Sequence, residues 1–398
     1  MNDKGWLTQA LDIIFINYRI ALSKPMMPII IMIGFSAVVV VFVLILSIGE
    51  GLSSTFRNSG SSDVAIVLSS AAYSESESHL SGEVVAAIGD QPGIEHDSEG
   101  PLISPEFMTT VSLLKHGTNV MAEVIMRGVT NNAFKVHQRV HLIAGRLFTP
   151  GVHEAIVGKQ AASEYQNLKI GNIIKSDNGT WKVVGIFAAN SGLRESEIWT
   201  DAASLQTAFH MGNSYSDAYV RLTTPEALGL FIAGCKKDPR LDVEVFSEQK
   251  YFKQLAANYS KMITSIGLLF ATLMGFGATI GTINLMFISM IARRREMAML
   301  RALGFSRLSV SSAVLFEVMT YGLVGGIFAS MATYFAFNGY QAGTTMGNGF
   351  SQVAFEFAVT PILLLIGIAI TLIMGFIGGL IPAIHSARLP LAHALREN

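Results

Sequence analysis

The residues of this chain with the most obvious chemical potential are six histidines, His79, His96, His116, His137, His141 and His153, which could serve as metal ligands or proton carriers. None of them belongs to an HExxH, so the pattern gives weak support to a zinc site. Gly158-Lys159 could be the end of a phosphate-cradling loop, but that loop needs a glycine where His153 stands and a Ser or Thr where Gln160 stands. Leu80-Ser81-Gly82-Glu83 brushes an ATPase signature without any nucleotide site around it, and no serine lies in a GxSxG turn. Cys235 is the single cysteine, which excludes an internal disulfide and any multi-cysteine metal framework. The chain offers no active site of its own, binds no cofactor by these criteria, and is expected not to be an enzyme by itself.

The elements around these residues are those of a membrane protein. Of 398 residues, 51% are hydrophobic and 14% charged, too apolar for an ordinary soluble domain. The formal net charge of −1 leaves no basic footprint for nucleic acid. Four stretches nearly free of charge, 25–48, 262–292, 310–337 and 357–384, are each long enough for a helix to cross a hydrocarbon core of ~30 Å. The second exceeds that need, so it should tilt or project as a stalk. Lys4, Arg19 and Lys24 precede the first span, five arginines lie between the second and third, Arg388 and Arg396 follow the fourth, and the 338–356 loop has no Lys or Arg. The positive-inside bias therefore places both termini and the 293–309 loop in the cytoplasm, and the 49–261 segment and the short 338–356 loop outside.

Before the first span, Trp6, Leu7, Ala10, Leu11, Ile14 and Tyr18 recur at helical spacing, which suggests an interfacial helix within 1–24. In the outer segment, alternation predicts strands at 63–68 and 120–129, a hairpin over 170–187 about Asn178-Gly179, and strand, helix, strand at 218–222, 225–236 and 243–246. The Ser/Glu-rich stretch 69–81 reads as a solvated loop. The expected fold is a membrane protein of four transmembrane helices, one plus three, with a large α+β periplasmic domain inserted after the first, and a cytoplasmic tail over 385–398.

Between Ala292 and Arg307 the sequence ARRREMAMLRALGFSR is basic and amphipathic, a loop able to grip something outside the membrane. Met297, Leu300 and Arg301 fall at helical spacing, and Gly304 suits a helix stop. Anionic lipid headgroups would account for Arg293 to Arg295, but not for Met299-Leu300 in an exposed place. Glu317 is the one acid inside a span, about 7 residues into the third helix and so about 10 Å deep. A carboxylate there is costly and marks a functional candidate, either as an ion-pair or capping partner of a loop arginine or as a moving part in gating. Gly277/Gly281, Gly322/Gly326 and Gly375/Gly379 place small residues four apart within spans, spacing suited to close helix packing, dimer packing included.

Together RRREMAMLRALGFSR at 293–307, AVLFEVMTYGLVGG at 313–326 and GLIPAIHSARLPLAHALRE at 379–397 resemble the permease subunits of MacB- and FtsX-type ABC transporters. GRLF at 145–148, EAIVG at 154–158, the 170–187 stretch and SIGEGL at 47–52 are similar to the MacB-type outer domain. The resemblance covers almost the whole length. It implies a dimer, with a second copy or a paralogue, carrying a separate ABC ATPase that binds ATP and Mg on the cytoplasmic side, since no ATPase domain is fused here. It also implies that Arg295, Glu296, Met297, Met299, Leu300, Arg301, Ala302 and Gly304 form the segment that docks on that ATPase. The expected function is mechanical: ATP-driven motion at 293–307 passes along the second helix to the outer domain, which drives efflux with a periplasmic adaptor and an outer-membrane channel, in the inner membrane of a diderm bacterium. Extraction of lipoproteins or lipids, or FtsX-like control of a cell-wall hydrolase, are the alternatives. Substrate identity is not legible.

Overall fold

The computed structural model describes residues 13, 15, 25–57, 59–70, 72–117, 120–189, 192–346 and 350–387. The interfacial helix expected within 1–24 and the tail beyond 387 lie outside the described residues, Ile13 and Phe15 excepted. By its internal contacts the chain divides into a membrane unit, Met1–Glu50 with Ser260–Tyr340 and Phe357–Asn398, and an outer unit, Gly51–Tyr259 with Gln341–Glu356.

Among the described residues four helices are long and apolar enough to cross a membrane: Met26–Phe56, Glu248–Ala292, Arg307–Phe337 and Pro361–Ser386. Two of them run well past the apolar stretches that mark them in the sequence. Once nucleated, a helix extends through polar residues at one hydrogen bond per residue, so Gly51–Arg57 and Glu248–Lys261 stay helical beyond any hydrocarbon. The second helix has 45 residues, about 67 Å at ~1.5 Å per residue. The fourth begins at Pro361, whose fixed φ and missing N–H suit a first helical turn.

Phe35, Val38, Met286, Met290, Val314 and Val318 form the centre of the membrane unit. Glycines decide how closely two of its helices meet. A Cβ on Gly322 would lie 2.8 Å from the Thr371 carbonyl oxygen, and one on Gly379 would lie 3.1 Å from Cβ of Val318. The pairs at 322/326 and 375/379 thus serve one interface, between Arg307–Phe337 and Pro361–Ala387. Gly277 and Gly281 face open space within the chain.

The outer unit is built on a ten-stranded mixed sheet: β1 Val64–Ser69, β2 Ile103–Leu114, β3 Met121–Val129, β4 His141–Gly145, β5 Glu154–Gly158, β6 Ile173–Ser176, β7 Gly179–Ala188, β8 Ile198–Asp201, β9 Asp217–Arg221 and β10 Val243–Ser247. Its order is β10-β1-β9-β2-β3-β8-β5-β7-β4, with β6 also paired to β7. The 12-residue β2 joins the two halves, pairing with β9 through 103–106 and with β3 through 107–114. The β3–β8 and β5–β7 pairs are parallel. All five residues of β5 are buried, as expected of a strand covered on both faces. Trp181 and Trp199 are fully buried in separate clusters that take alternate residues of the same strands, Ala155 and Val157 of β5 in the first and Ile156 in the second.

Three sequence expectations need correction. The 170–187 hairpin turns at Asp177-Asn178, one residue early, because Ser176 pairs directly with Gly179. The 338–356 segment is more than a connecting loop: Gln341–Met346 and Phe350–Glu356 form an antiparallel hairpin that groups with the outer unit. The 69–81 loop is no solvated linker, since Glu75 within it is buried.

Glu154, at the start of β5, takes both guanidinium nitrogens of Arg146 and the Thr149 N–H. These hydrogen bonds, the one to Arg146 foremost, hold its carboxyl at about 2. A folded-state pKa below the unfolded one gives stabilisation that is present above about 4.5 and lost as pH falls toward 2. Melting of the detergent-solubilised chain between pH 6 and pH 3 should therefore show a smaller acid-induced drop for Glu154→Gln than for wild type.

Candidate functional site

The 293–307 segment folds as a short helix, Arg294–Ala302, set between two spans. It ends as Gly304 enters the left-handed region at φ +95°, where its N–H donates to Arg301 O and the Phe305 N–H to Leu300 O. Ser306 then caps the next helix by accepting from the Ser309 N–H at 3.0 Å. A tight stop and an immediate restart hold the short helix in place.

Its faces divide the residues named from sequence. Arg295, Glu296, Met299, Ala302 and Gly304 are exposed. Met297 is 8% exposed and packs into the membrane core, while Leu300 is half-buried against Val310 and Ala313, and Arg301 is half-buried. The sequence reading missed Leu303, which is 72% exposed beside Met299 at 52%. Helical spacing of four brings Met299 and Leu303 onto one face, an apolar pair edged by Arg295 and Glu296. Met297 and Leu300 belong instead to the scaffold that holds this face outward.

Glu317 meets a loop arginine. Arg293 Nη1 donates to its Oε1 at 3.3 Å, and the Tyr321 hydroxyl donates to the same oxygen at 2.6 Å. Tyr321 lies one turn further along the same helix, so it and Glu317 share a face. The cluster lines a cavity of about 180 Å³ with Met26, Ile31 and Met286. The carboxylate thereby ties the residue that precedes the short helix to the third span.

A second polar centre lies inside the outer unit. The Arg127 guanidinium donates to Glu197 through Nε and Nη2 (both 3.1 Å), to Glu106 through Nη1 (3.1 Å) and to Glu75 through Nη2 (2.9 Å), with Asp217 at 3.4 Å. Trp199 Nε1 donates to Glu197, the Tyr219 hydroxyl to Glu75, and His137 Nε2 lies 2.8 Å from Glu106. Burial pushes Glu106 up, but His137 and then Arg127 outweigh it and hold the carboxyl at about 2. Burial and the negative charge of Glu75 push Asp217 well above the carboxylate range despite Arg127. The charges come from strands and a loop that lie far apart in the sequence, so no spacing announces the cluster.

Among the described residues no group of three or more His, Cys, Asp or Glu side chains is placed to hold a metal ion. Burial pushes the Cys235 thiol up to about 11, away from thiolate chemistry.

Four helices able to cross a membrane among the described residues, with a large mixed-sheet domain inserted after the first, define the architecture of a multi-span membrane protein. The sequence matches the profile of the MacB-like periplasmic core domain over residues 29–233 and that of the FtsX-like permease C-terminal domain over 268–391, and the chain belongs to this MacB/FtsX-type permease family. No curated protein matches it significantly. Similar solved structures include the periplasmic region of MacB from Actinobacillus actinomycetemcomitans (12% identity, TM-score 0.36), which covers 50% of this chain and 94% of that one. The extracellular domain of the noncanonic ABC-type transporter YknZ from Gram-positive bacteria follows at 14% and 0.34, covering 46% and 99%. A domain of a permease protein from Porphyromonas gingivalis has 17% and 0.29, covering 48% and 88%.

Removing Arg127 would leave the buried side chains of Glu75, Glu106, Glu197 and Asp217 without their shared cation. Arg127→Met is expected to lower unfolding stability by about 3–5 kcal/mol, measured by denaturant unfolding of the full chain in detergent.

Proposed function

We propose that the chain is the transmembrane subunit of a mechanotransmission-type ABC exporter, driven by a separate ATPase that docks on the exposed face of the Arg294–Ala302 helix. The observation that carries this reading is the apolar pair Met299 and Leu303, held outward on a capped helix among charged residues. An exposed apolar pair at one place marks a contact surface rather than a solvated loop. Arg295 and Glu296 at its edge supply orientation, as rim charges do in protein interfaces.

In this reading the chain lies in a bacterial inner membrane with both termini cytoplasmic and its large domain periplasmic, an orientation that the arginine distribution supports. It works as a dimer with a second copy or a paralogue. ATP and Mg belong to the ATPase, and this chain contributes no catalytic group. Closure of the ATPase pair displaces the short helix. Arg293 and Glu317 carry that displacement to the third span, while the unbroken Glu248–Ala292 helix carries it to residues of the outer unit. A helix transmits a push because the backbone groups of its interior are bonded along its axis. The outer domain acts on substrate together with a periplasmic adaptor and an outer-membrane channel. Efflux is preferred to hydrolase control because the inserted 49–261 segment is large.

The test is to extract the chain gently, identify the ATPase that co-purifies, and measure its turnover with each variant. Met299→Asp with Leu303→Asp should leave the chain inserted, release the ATPase and lower stimulated turnover at least roughly tenfold, since interface anchors of this kind are worth about 2 kcal/mol. Met299→Leu should keep both. Unaltered retention of the ATPase by the double variant would refute the docking surface.

A further inference from the structure

Two acids stand directly opposite each other on neighbouring strands of the outer unit. Asp217 opens β9, Glu106 lies in β2, the register pairs them, and both side chains are fully buried. Opposed side chains of an antiparallel pair lie about 5 Å apart at Cβ, and like charges in that position repel. Away from water, two carboxyls so placed do not both ionise unless each has partners of its own.

The partners are unequally divided. Glu106 accepts from the Ser104 hydroxyl at 2.9 Å and from Arg127 Nη1 at 3.1 Å, and His137 Nε2 lies 2.8 Å from it. The Asp217 side chain has one contact among the described residues, Oδ2 with the same Arg127 Nη1 at 3.4 Å, the longest that this guanidinium makes to a carboxylate. Its Oδ1 is buried without a hydrogen-bond partner. A buried ionised oxygen left bare is costly, and a neutral carboxyl is far less so.

The surrounding charges do not redress the balance. Arg127 and Arg194 act on Asp217 from β3 and from the β7–β8 connection, against Glu75 of the 69–81 loop and Glu106. Arg127 is also engaged by Glu197 and Arg194 by Glu248 of the long helix, while Tyr219 and Tyr251 bring only hydroxyls. Even with His137 charged, the acids of the cluster outnumber its cations. Burial, and then the negative charge of Glu75, push the Asp217 carboxyl well above its usual range.

We propose that a proton bound to Asp217 is a structural component of the outer unit: it removes the repulsion with Glu106 and Glu75, and so keeps the 69–81 loop docked and, through that loop, the first turns of the long helix. Glu75 makes the connection, since its N–H donates to the Tyr251 hydroxyl at 3.2 Å while its carboxylate accepts from Arg127 and from the Tyr219 hydroxyl. Loss of the proton in alkaline medium sets three buried acids against one another. Of the three, only Glu75 lies outside the ten-stranded sheet, so its loop is the part able to yield. The proton site stands independently of where the ATPase docks.

The test compares wild type with Asp217→Asn, which fixes the neutral form in the same shape, and with Glu106→Gln, by denaturant unfolding of the full chain in detergent between about pH 5 and pH 8.5. A folded-state pKa above the unfolded one gives stabilisation that is complete below about 3.8 and lost as pH rises toward the folded value. The folded-to-unfolded ratio of wild type should therefore fall relative to that of Asp217→Asn, by up to about tenfold per pH unit. Glu106→Gln removes a carboxyl held at about 2 and should be less stable than wild type throughout this range. Hydrogen exchange, corrected for the intrinsic rate at each pH, should show protection at 72–78 falling as pH rises in wild type and constant in Asp217→Asn. The proposal is overturned if Asp217→Asn is destabilised by the same factor at every pH, as loss of an ionised partner of Arg127 would be, or if protection at 72–78 falls alike in both proteins. Should Asp217→Asn fail to fold, the wild-type exchange profile decides, and protection at 72–78 that does not fall with pH overturns the proposal.

Discussion

A guanidinium taken out of water must be met on every edge, and the outer unit is arranged around that demand at Arg127. Its five N–H groups draw acids from a loop (Glu75), from β2 (Glu106), from the residue before β8 (Glu197) and from β9 (Asp217). Burying these acids without the arginine, or the arginine without them, would leave uncompensated charge away from water. The cluster therefore fixes the relative placement of strands that belong to both halves of the ten-stranded sheet. It also immobilises the 69–81 loop, whose sequence alone reads as solvent-exposed. Burial and Glu75 push Asp217 upward, the direction that lessens the excess of negative charge around one cation.

The same logic extends to the ends of the helices. Glu248 accepts from the Ser61 N–H, and the Gln249 N–H donates to Ser61 O, so the segment leaving the first long helix and the segment entering the second are joined at one place in the outer unit. Gly60 lets them approach: a Cβ there would lie 2.6 Å from the Gln249 Cα. Arg194 then links this junction to the connection between β7 and β8. Hydrophobic packing would tolerate small slips at such a junction, whereas paired buried charges lose their partners on slipping.

What could be read from sequence was what depends on composition and period. The four spans, the loop arginines and the strands at 63–68 and 120–129 follow from local runs whose solvent preference is set residue by residue. What could not be read depends on residues far apart meeting. Glu106 in ISPEFM and Arg127 in VIMRGV each interrupt an apolar alternation, and that interruption was the only signal available for the cluster. The 293–307 stretch was legible as a distinct segment, yet its faces were not. Helical spacing alone groups Met297, Leu300 and Arg301, and only the packing of Met297 against the spans shows that this side faces inward while Met299 and Leu303 face out.

That division of faces bears on how force could pass through the short helix. A docking surface that moved independently of the spans would dissipate any displacement in side-chain rotation. Here the inward residues are bound on two sides, with Met297 in the core of the membrane unit and Leu300 against Val310 and Ala313 of the third span. Arg293, just before the helix, is held by Glu317, and Ser306, just after it, caps the span that follows. An ion pair at the membrane edge is stronger than one in water because less solvent screens it. The short helix is thus tied to the spans at both ends, through Arg293 and Glu317 before it and through the Ser306 cap after it.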